Sequence, residues 1–129
     1  MIPATVHAAI DAASILALMA APRAVSASPR MARVLVGWGL ALGAVSLATR
    51  YRAGSRAPLP MPVHLGLDAA QGVAALAVAA MARDERAALR VSLAGYGAVS
   101  LAVVAASDRQ PVHDTAKVVL PHGAVAGYV

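Results

Sequence analysis

The chain has 129 residues, 60% of them hydrophobic and 13% charged, with a mean hydropathy of +0.69; soluble domains carry about a quarter charged residues. That balance argues against an ordinary water-soluble domain and points to lipid as the solvent. The absence of cysteine excludes disulfides, thiolate nucleophiles and zinc–thiolate sites. The net charge of +5 comes from Arg and Lys placed almost entirely between apolar runs, where they read as anchors for lipid phosphates and not as a nucleic-acid surface.

Four segments approach the roughly 20 apolar residues that a helix needs to cross a bilayer. The first covers residues 3–21 and contains His7, Asp11 and Ser14 but no Lys or Arg. It is read as a retained helix; cleavage as a signal peptide near "AVSAS" is the competing reading, disfavoured because no basic residue precedes the apolar run. The second covers residues 32–49, the third 62–82, and the fourth 87–106, with Arg90 placed to snorkel near its start. Pro3 and Pro62 suit first helical turns, where a missing N–H leaves nothing unpaired. The connections "PRAVSASPRM", "RYRAGSRAPLPM" and "RDER" hold most of the Arg and half of the Pro, as turns outside hydrocarbon should. Residues 107–129 are too polar and too broken by Pro111, Pro121 and Gly123 to span; they are expected to lie on the interface or dock onto a partner. Four spans put both termini on one side of what is expected to be a bacterial inner membrane. The 11 basic residues divide five against six between the two sides, so they set no orientation.

The two halves echo each other. "VHAAIDAA" (6–13) returns as "VHLGLDAA" (63–70), "GAVSLA" occurs at 43–48 and 97–102, and "GWG" (37–39) has its counterpart in "GYG" (95–97). The expected fold is therefore all-α, a four-transmembrane-helix bundle of two parallel helical-hairpin repeats: a first hairpin over residues 1–57, a second over 58–106, and the non-spanning tail. The motifs "VHAAID" and "PMPVHLGLDAAQG", with the Pro of "MAAPR", resemble the SPW-repeat family of small bacterial membrane proteins over residues 3–106. The Ser-Pro-Trp that names the family is absent; Pro22 alone stands in the first hairpin and "AMARDER" replaces the motif in the second. The resemblance implies an integral membrane protein of two hairpins and carries no biochemical activity with it.

Residues four apart share a helix face, so Asp11 can accept from His7 and Asp68 from His64. Such a pair fixes an imidazole's tautomer, as a carboxylate does behind a metal-ligating histidine. Three uses follow for His7, Asp11, His64 and Asp68: a structural role with the histidines at headgroup depth, satisfying the deeper carboxylates or docking one hairpin on the other; a cofactor site for a divalent metal with an N2O2 shell, or for a haem or another tetrapyrrole pigment between two axial histidines; or proton-coupled transport. Gly37, Gly39 and Gly43, with Gly95 and Gly97, are expected at close helix contacts, a groove for a flat cofactor or lipid tail being the alternative. Trp38 and Tyr96 are expected as interfacial anchors. In the tail, His113, Asp114 and His122 offer a peripheral metal site or simply a solvated face. No nucleophile elbow, phosphate-binding loop or zinc-protease motif is present. The reading is a non-enzymatic accessory or scaffold subunit, in contact with lipid and with other membrane subunits or its own copies.

Overall fold

The computed structural model describes residues 1–52 and 55–109. Among them the chain forms helices α1 (Ala4–Ala24), α2 (Pro29–Ala48), α3 (Met61–Met81) and α4 (Ala87–Ala106), with two isolated β-bridges and no strand. Each helix has 20 or 21 residues, about 30 Å at 1.5 Å per residue. All four are long and apolar enough to cross a bilayer. Leu16, Leu40, Leu47, Val73 and Val91 stand exposed on their outer faces, a surface suited to hydrocarbon and not to water. The expected all-α four-helix bundle is thus the observed one. The segment carrying His113, Asp114 and His122 lies outside the described residues.

Local chemistry explains where the helices differ from the expected bounds. α2 starts earlier, at Pro29, because Ser28 caps it: the Ser28 hydroxyl accepts from the Met31 N–H at 3.2 Å, and Pro29 occupies the first turn. α1 continues through Pro22 to Ala24 and closes in a Schellman cap, Ala27 N–H donating to Pro22 O at 2.9 Å and Ser26 N–H to Arg23 O at 3.4 Å. Glu85, in the α3–α4 turn, accepts from both the backbone N–H and the hydroxyl of Ser28. The two turns at this end are thereby tied together.

At the opposite end the helices are clasped in pairs. Ile2 N–H donates to Ala106 O at 2.7 Å and Asp108 N–H to Ile2 O at 2.9 Å, joining the start of α1 to the end of α4. Leu59 N–H donates to Ala48 O and Arg50 N–H to Leu59 O, both at 2.9 Å, joining the start of α3 to the end of α2. Pro3 and Pro60 are the equivalent residues here. Each is extended, and each carbonyl accepts from the N–H of the histidine four residues on, at 3.0 and 3.1 Å. Pro62 lies one step inside α3.

The repeat has a definite register. Helix bounds place α3 57 residues after α1, and α4 58 residues after α2. "GWG" and "GYG" obey that register, so Gly39 corresponds to Gly97; the two copies of "GAVSLA" miss it by about one helical turn. Close approach follows the same register. A Cβ on Gly97 would lie 2.6 Å from Gly72 O, and one on Gly39 would lie 3.2 Å from the Met19 side chain, whereas Gly37 and Gly95 face open space and Gly43 makes ordinary contact. Gly39 and Gly97 therefore fulfil the expectation of tight packing, with Gly72 as an unforeseen third, and Gly37, Gly43 and Gly95 do not.

The buried residues of α1 (Ala4, His7, Asp11, Leu18) and of α3 (Met61, His64, Leu65, Asp68, Gly72, Ala75, Ala79) follow steps of one, three, four and seven, a single stripe on each helix. Ala4, Met61 and Leu65 form a small apolar layer at the clasped end. A larger one, built on Leu18, Leu35, Leu42, Ala79, Leu89 and Leu93, fills the other half. Trp38 and Tyr96 pack edge to face in this interior, ring centroids 6.4 Å apart. They are not interfacial anchors: both sit near mid-helix, and the Trp38 indole N–H donates to Gln71 Oε1 at 3.1 Å.

Candidate metal centre

Between the two apolar layers lies a polar core. His7 and His64 are 1% and 0% exposed and rank among the largest fully buried side chains, so both rings face the protein interior. Asp11 and Asp68 are buried beside them. The i, i+4 spacing places each Asp one turn inside its histidine, but the contacts cross between hairpins. His7 Nε2 lies 2.9 Å from Asp68 Oδ2 and 3.5 Å from Asp11 Oδ1 on its own helix. His64 Nε2 lies 3.0 Å from an oxygen of each carboxylate. The two Nε2 atoms are 3.3 Å apart, with the rings edge to face.

Two hydroxyls decide how the rings are oriented. Thr49 donates to Val45 O at 2.6 Å and Ser107 to Val103 O at 2.7 Å, the carbonyl one turn back in each helix. Each hydroxyl has a single proton, and that proton is committed to the carbonyl. The same oxygens therefore accept from the imidazoles: His64 Nδ1–H donates to Thr49 Oγ1 at 2.9 Å, and His7 Nδ1–H to Ser107 Oγ at 2.7 Å. Both histidines turn Nε2 inward. Of the two arrangements the spacing allows, carboxylates behind the rings or carboxylates beside the nitrogens in an N2O2 shell, the structure has the second: they face the same point as the Nε2 atoms, and hydroxyls stand behind.

The carboxylates are held in turn. Tyr51, in the loop between hairpins, donates its hydroxyl to Asp11 Oδ2 at 2.5 Å, and its ring lies edge to face with that of His64. Burial and the bond to Asp11 raise the Tyr51 phenol above its ordinary range, so it stays a donor. Ser46 makes a longer contact to Asp11 at 3.4 Å. Asp68 accepts from Gln71 Nε2 at 3.0 Å, and Gln71 is oriented by Trp38. Thr49, Ser107, Tyr51 and Gln71 were not among the candidates drawn from the sequence. The hydroxyls at the ends of α2 and α4 follow the 58-residue register of "GWG" and "GYG", and that was the available signal for two of them.

Two inward nitrogens 3.3 Å apart repel unless a positive charge lies on or between them. Two Nε2 protons would meet that need, and so would one divalent ion; either balances the two carboxylates. One ligand atom from each of the four residues lies within 4.8 Å of the others. A tetrahedral ion with bonds of about 2.0–2.1 Å sets its donors roughly 3.3 Å apart; the nitrogen–nitrogen and nitrogen–oxygen separations here run from 2.9 to 3.5 Å, with His7 facing Asp11 Oδ1 and His64 facing Asp11 Oδ2. The set fits a small transition-metal ion with two imidazoles, two carboxylates and hydrogen-bonded support behind both rings. A tetrapyrrole does not fit. Its macrocycle would have to pass between the two nitrogens, where the carboxylates of Asp11 and Asp68 already converge. Comparison with protein-family models, with curated proteins and with solved structures finds no match to this chain.

Proposed function

We propose that this small integral membrane protein binds a divalent transition-metal ion between its two hairpins, through His7 Nε2, His64 Nε2 and the carboxylates of Asp11 and Asp68. The observation that carries the reading is the pair of Nε2 atoms 3.3 Å apart, each turned inward by a hydroxyl whose own proton is committed elsewhere. Oxygen and imidazole donors with no thiolate favour zinc, iron(II), manganese or cobalt over copper(I). The role is binding and not catalysis, in a bacterial inner membrane with both termini on one side, and membership of the SPW-repeat proteins belongs to the same reading. The test is metal content after purification in detergent, loading with zinc and desalting. One zinc per chain is expected, and none in the His7→Ala, His64→Ala double variant; wild-type protein that retains no zinc refutes the proposal.

The crossed contacts favour a second reading, in which the cluster only locks the hairpins. His7 reaches Asp68 and His64 reaches Asp11, so the buried pairs join α1 to α3. With a proton on each Nε2 the four side chains form a neutral clasp, and the chain serves as an accessory or scaffold subunit against other subunits or its own copies. The zinc measurement separates the two readings.

A further inference from the structure

The four donors are not enclosed equally. On the His64 side, Tyr51 covers the cluster and bonds to Asp11. On the other side, His7, Asp11 and Asp68 border a cavity of about 30 Å³ whose wall also includes Tyr96, Ser100 and Val103. A space of that size holds a water or a ligand of two heavy atoms, since one water needs about 10–15 Å³. His64 does not line it. The Tyr96 hydroxyl is buried and has no hydrogen-bond partner in the protein, and a buried hydroxyl left so is costly unless something small bonds to it.

We infer that this cavity is an exchangeable-ligand position of the centre, where a water or a diatomic molecule meets the bound ion across the face formed by His7, Asp11 and Asp68. The inference rests on the metal reading above. Four protein donors fill a tetrahedral site, so the occupant would bind as a fifth, the expansion that ligand-exchanging metal sites undergo. Among the described residues the opening borders one face, that of His7, Asp11 and Asp68. Tyr96 gives the occupant a hydrogen-bonding partner, and Val103 limits its size. The ligand class is therefore small and able to accept a hydrogen bond, and larger anions and chelating molecules are excluded.

The test uses the full chain in detergent micelles, loaded anaerobically with iron(II), its metal content measured, then exposed to nitric oxide and followed by electron paramagnetic resonance. Wild-type protein is expected to give an iron–nitrosyl signal that saturates at one nitric oxide per iron. Val103→Leu adds a methylene to the cavity wall and leaves the four donor residues unchanged. It is expected to take up iron as wild type does and to need roughly tenfold more nitric oxide. Tyr96→Phe, which removes the hydroxyl without adding bulk, is expected to keep its iron and show a shifted nitrosyl spectrum. Iron uptake with no nitrosyl signal overturns the open position and leaves the metal site standing. Identical signals and affinities in all three proteins place the ligand outside this cavity and overturn the assignment. A failure to bind iron overturns the inference together with the reading beneath it. If Val103→Leu does not fold, Tyr96→Phe against wild type decides.

Discussion

The hydroxyls behind the histidines offer the sharpest quantitative test. Ser107→Ala removes the acceptor of His7 Nδ1–H, now made at 2.7 Å, and Thr49→Val removes that of His64 Nδ1–H, made at 2.9 Å, while leaving every inward donor in place. An imidazole N–H left buried and unpaired costs about 1–3 kcal/mol. Loss of a partner behind a metal-ligating histidine weakens metal binding about 10–100-fold, and at about 1.4 kcal/mol per decade the two figures coincide. Each single variant should therefore bind zinc about 10–100-fold more weakly than wild type, measured by competition against a chromophoric chelator in detergent. The two histidines share one ion, so the double variant need not show the sum of the two losses. The rise in melting temperature on adding zinc should shrink in parallel, because that rise follows the ratio of free zinc to its dissociation constant. Refutation is specific. If both single variants hold zinc to within about twofold of wild type while His7→Ala releases it, the rings are not oriented by these hydroxyls and the tautomer argument fails.

Two further outcomes test the surroundings of the site. The Tyr51 phenol is raised in the folded protein by burial and by Asp11, above its ordinary value of 10.0. Its contribution is thus fully present below pH 10.0 and is lost as pH rises through the folded value; unfolding monitored against pH should show an alkaline loss of stability that Tyr51→Phe lacks. Gly97→Ala places a methyl 2.6 Å from Gly72 O and should destabilise the α3–α4 pair by about 1–3 kcal/mol. Gly95→Ala, which meets nothing, should be neutral or slightly stabilising by helix propensity. Thermal unfolding in one detergent compares the two, and equal effects would remove the argument for close packing at Gly97.

The helices were legible in the sequence because hydrocarbon imposes length and apolarity on any span, and the hairpin repeat was legible because "VHxxxD" keeps its place at the start of both odd helices. His7, Asp11, His64 and Asp68, which the fold brings into one cluster, stand out in the sequence for the same reason. Their mutual arrangement does not. Spacing of four assigns His7 to Asp11, yet its shorter contact is to Asp68 on the other hairpin, a consequence of packing that no single helix encodes. Thr49 and Ser107 were obscured by the stronger string match "GAVSLA", which aligns the even helices one turn out of register. The shorter echo "GWG" and "GYG" carries the true alignment because it includes Gly39 and Gly97, the glycines on which α2 meets α1 and α4 meets α3. Trp38 was misplaced by a general preference of indoles for interfaces; its N–H is committed to Gln71 inside the bundle.

The duplication accounts for the donor set, and its departures from symmetry account for the set having two unlike sides. One hairpin carries one imidazole, one carboxylate and one hydroxyl at the foot of its second helix, which is half of the cluster and leaves a lone charge in a medium that penalises it. A second copy, related by a pseudo-two-fold, completes four donors and supplies the charge balance through either two protons or one divalent ion. Perfect symmetry would treat both flanks alike. Ser14 in the first repeat stands where Gln71 stands in the second, so Asp11 relies on Tyr51 from the loop between hairpins, while Asp68 relies on Gln71 and Trp38 from within the bundle. The Tyr51 flank is covered and the Tyr96 flank retains the cavity. A symmetric pair of hairpins could hold an ion, but only the broken pair would give a bound ion one covered face and one face bordering a cavity.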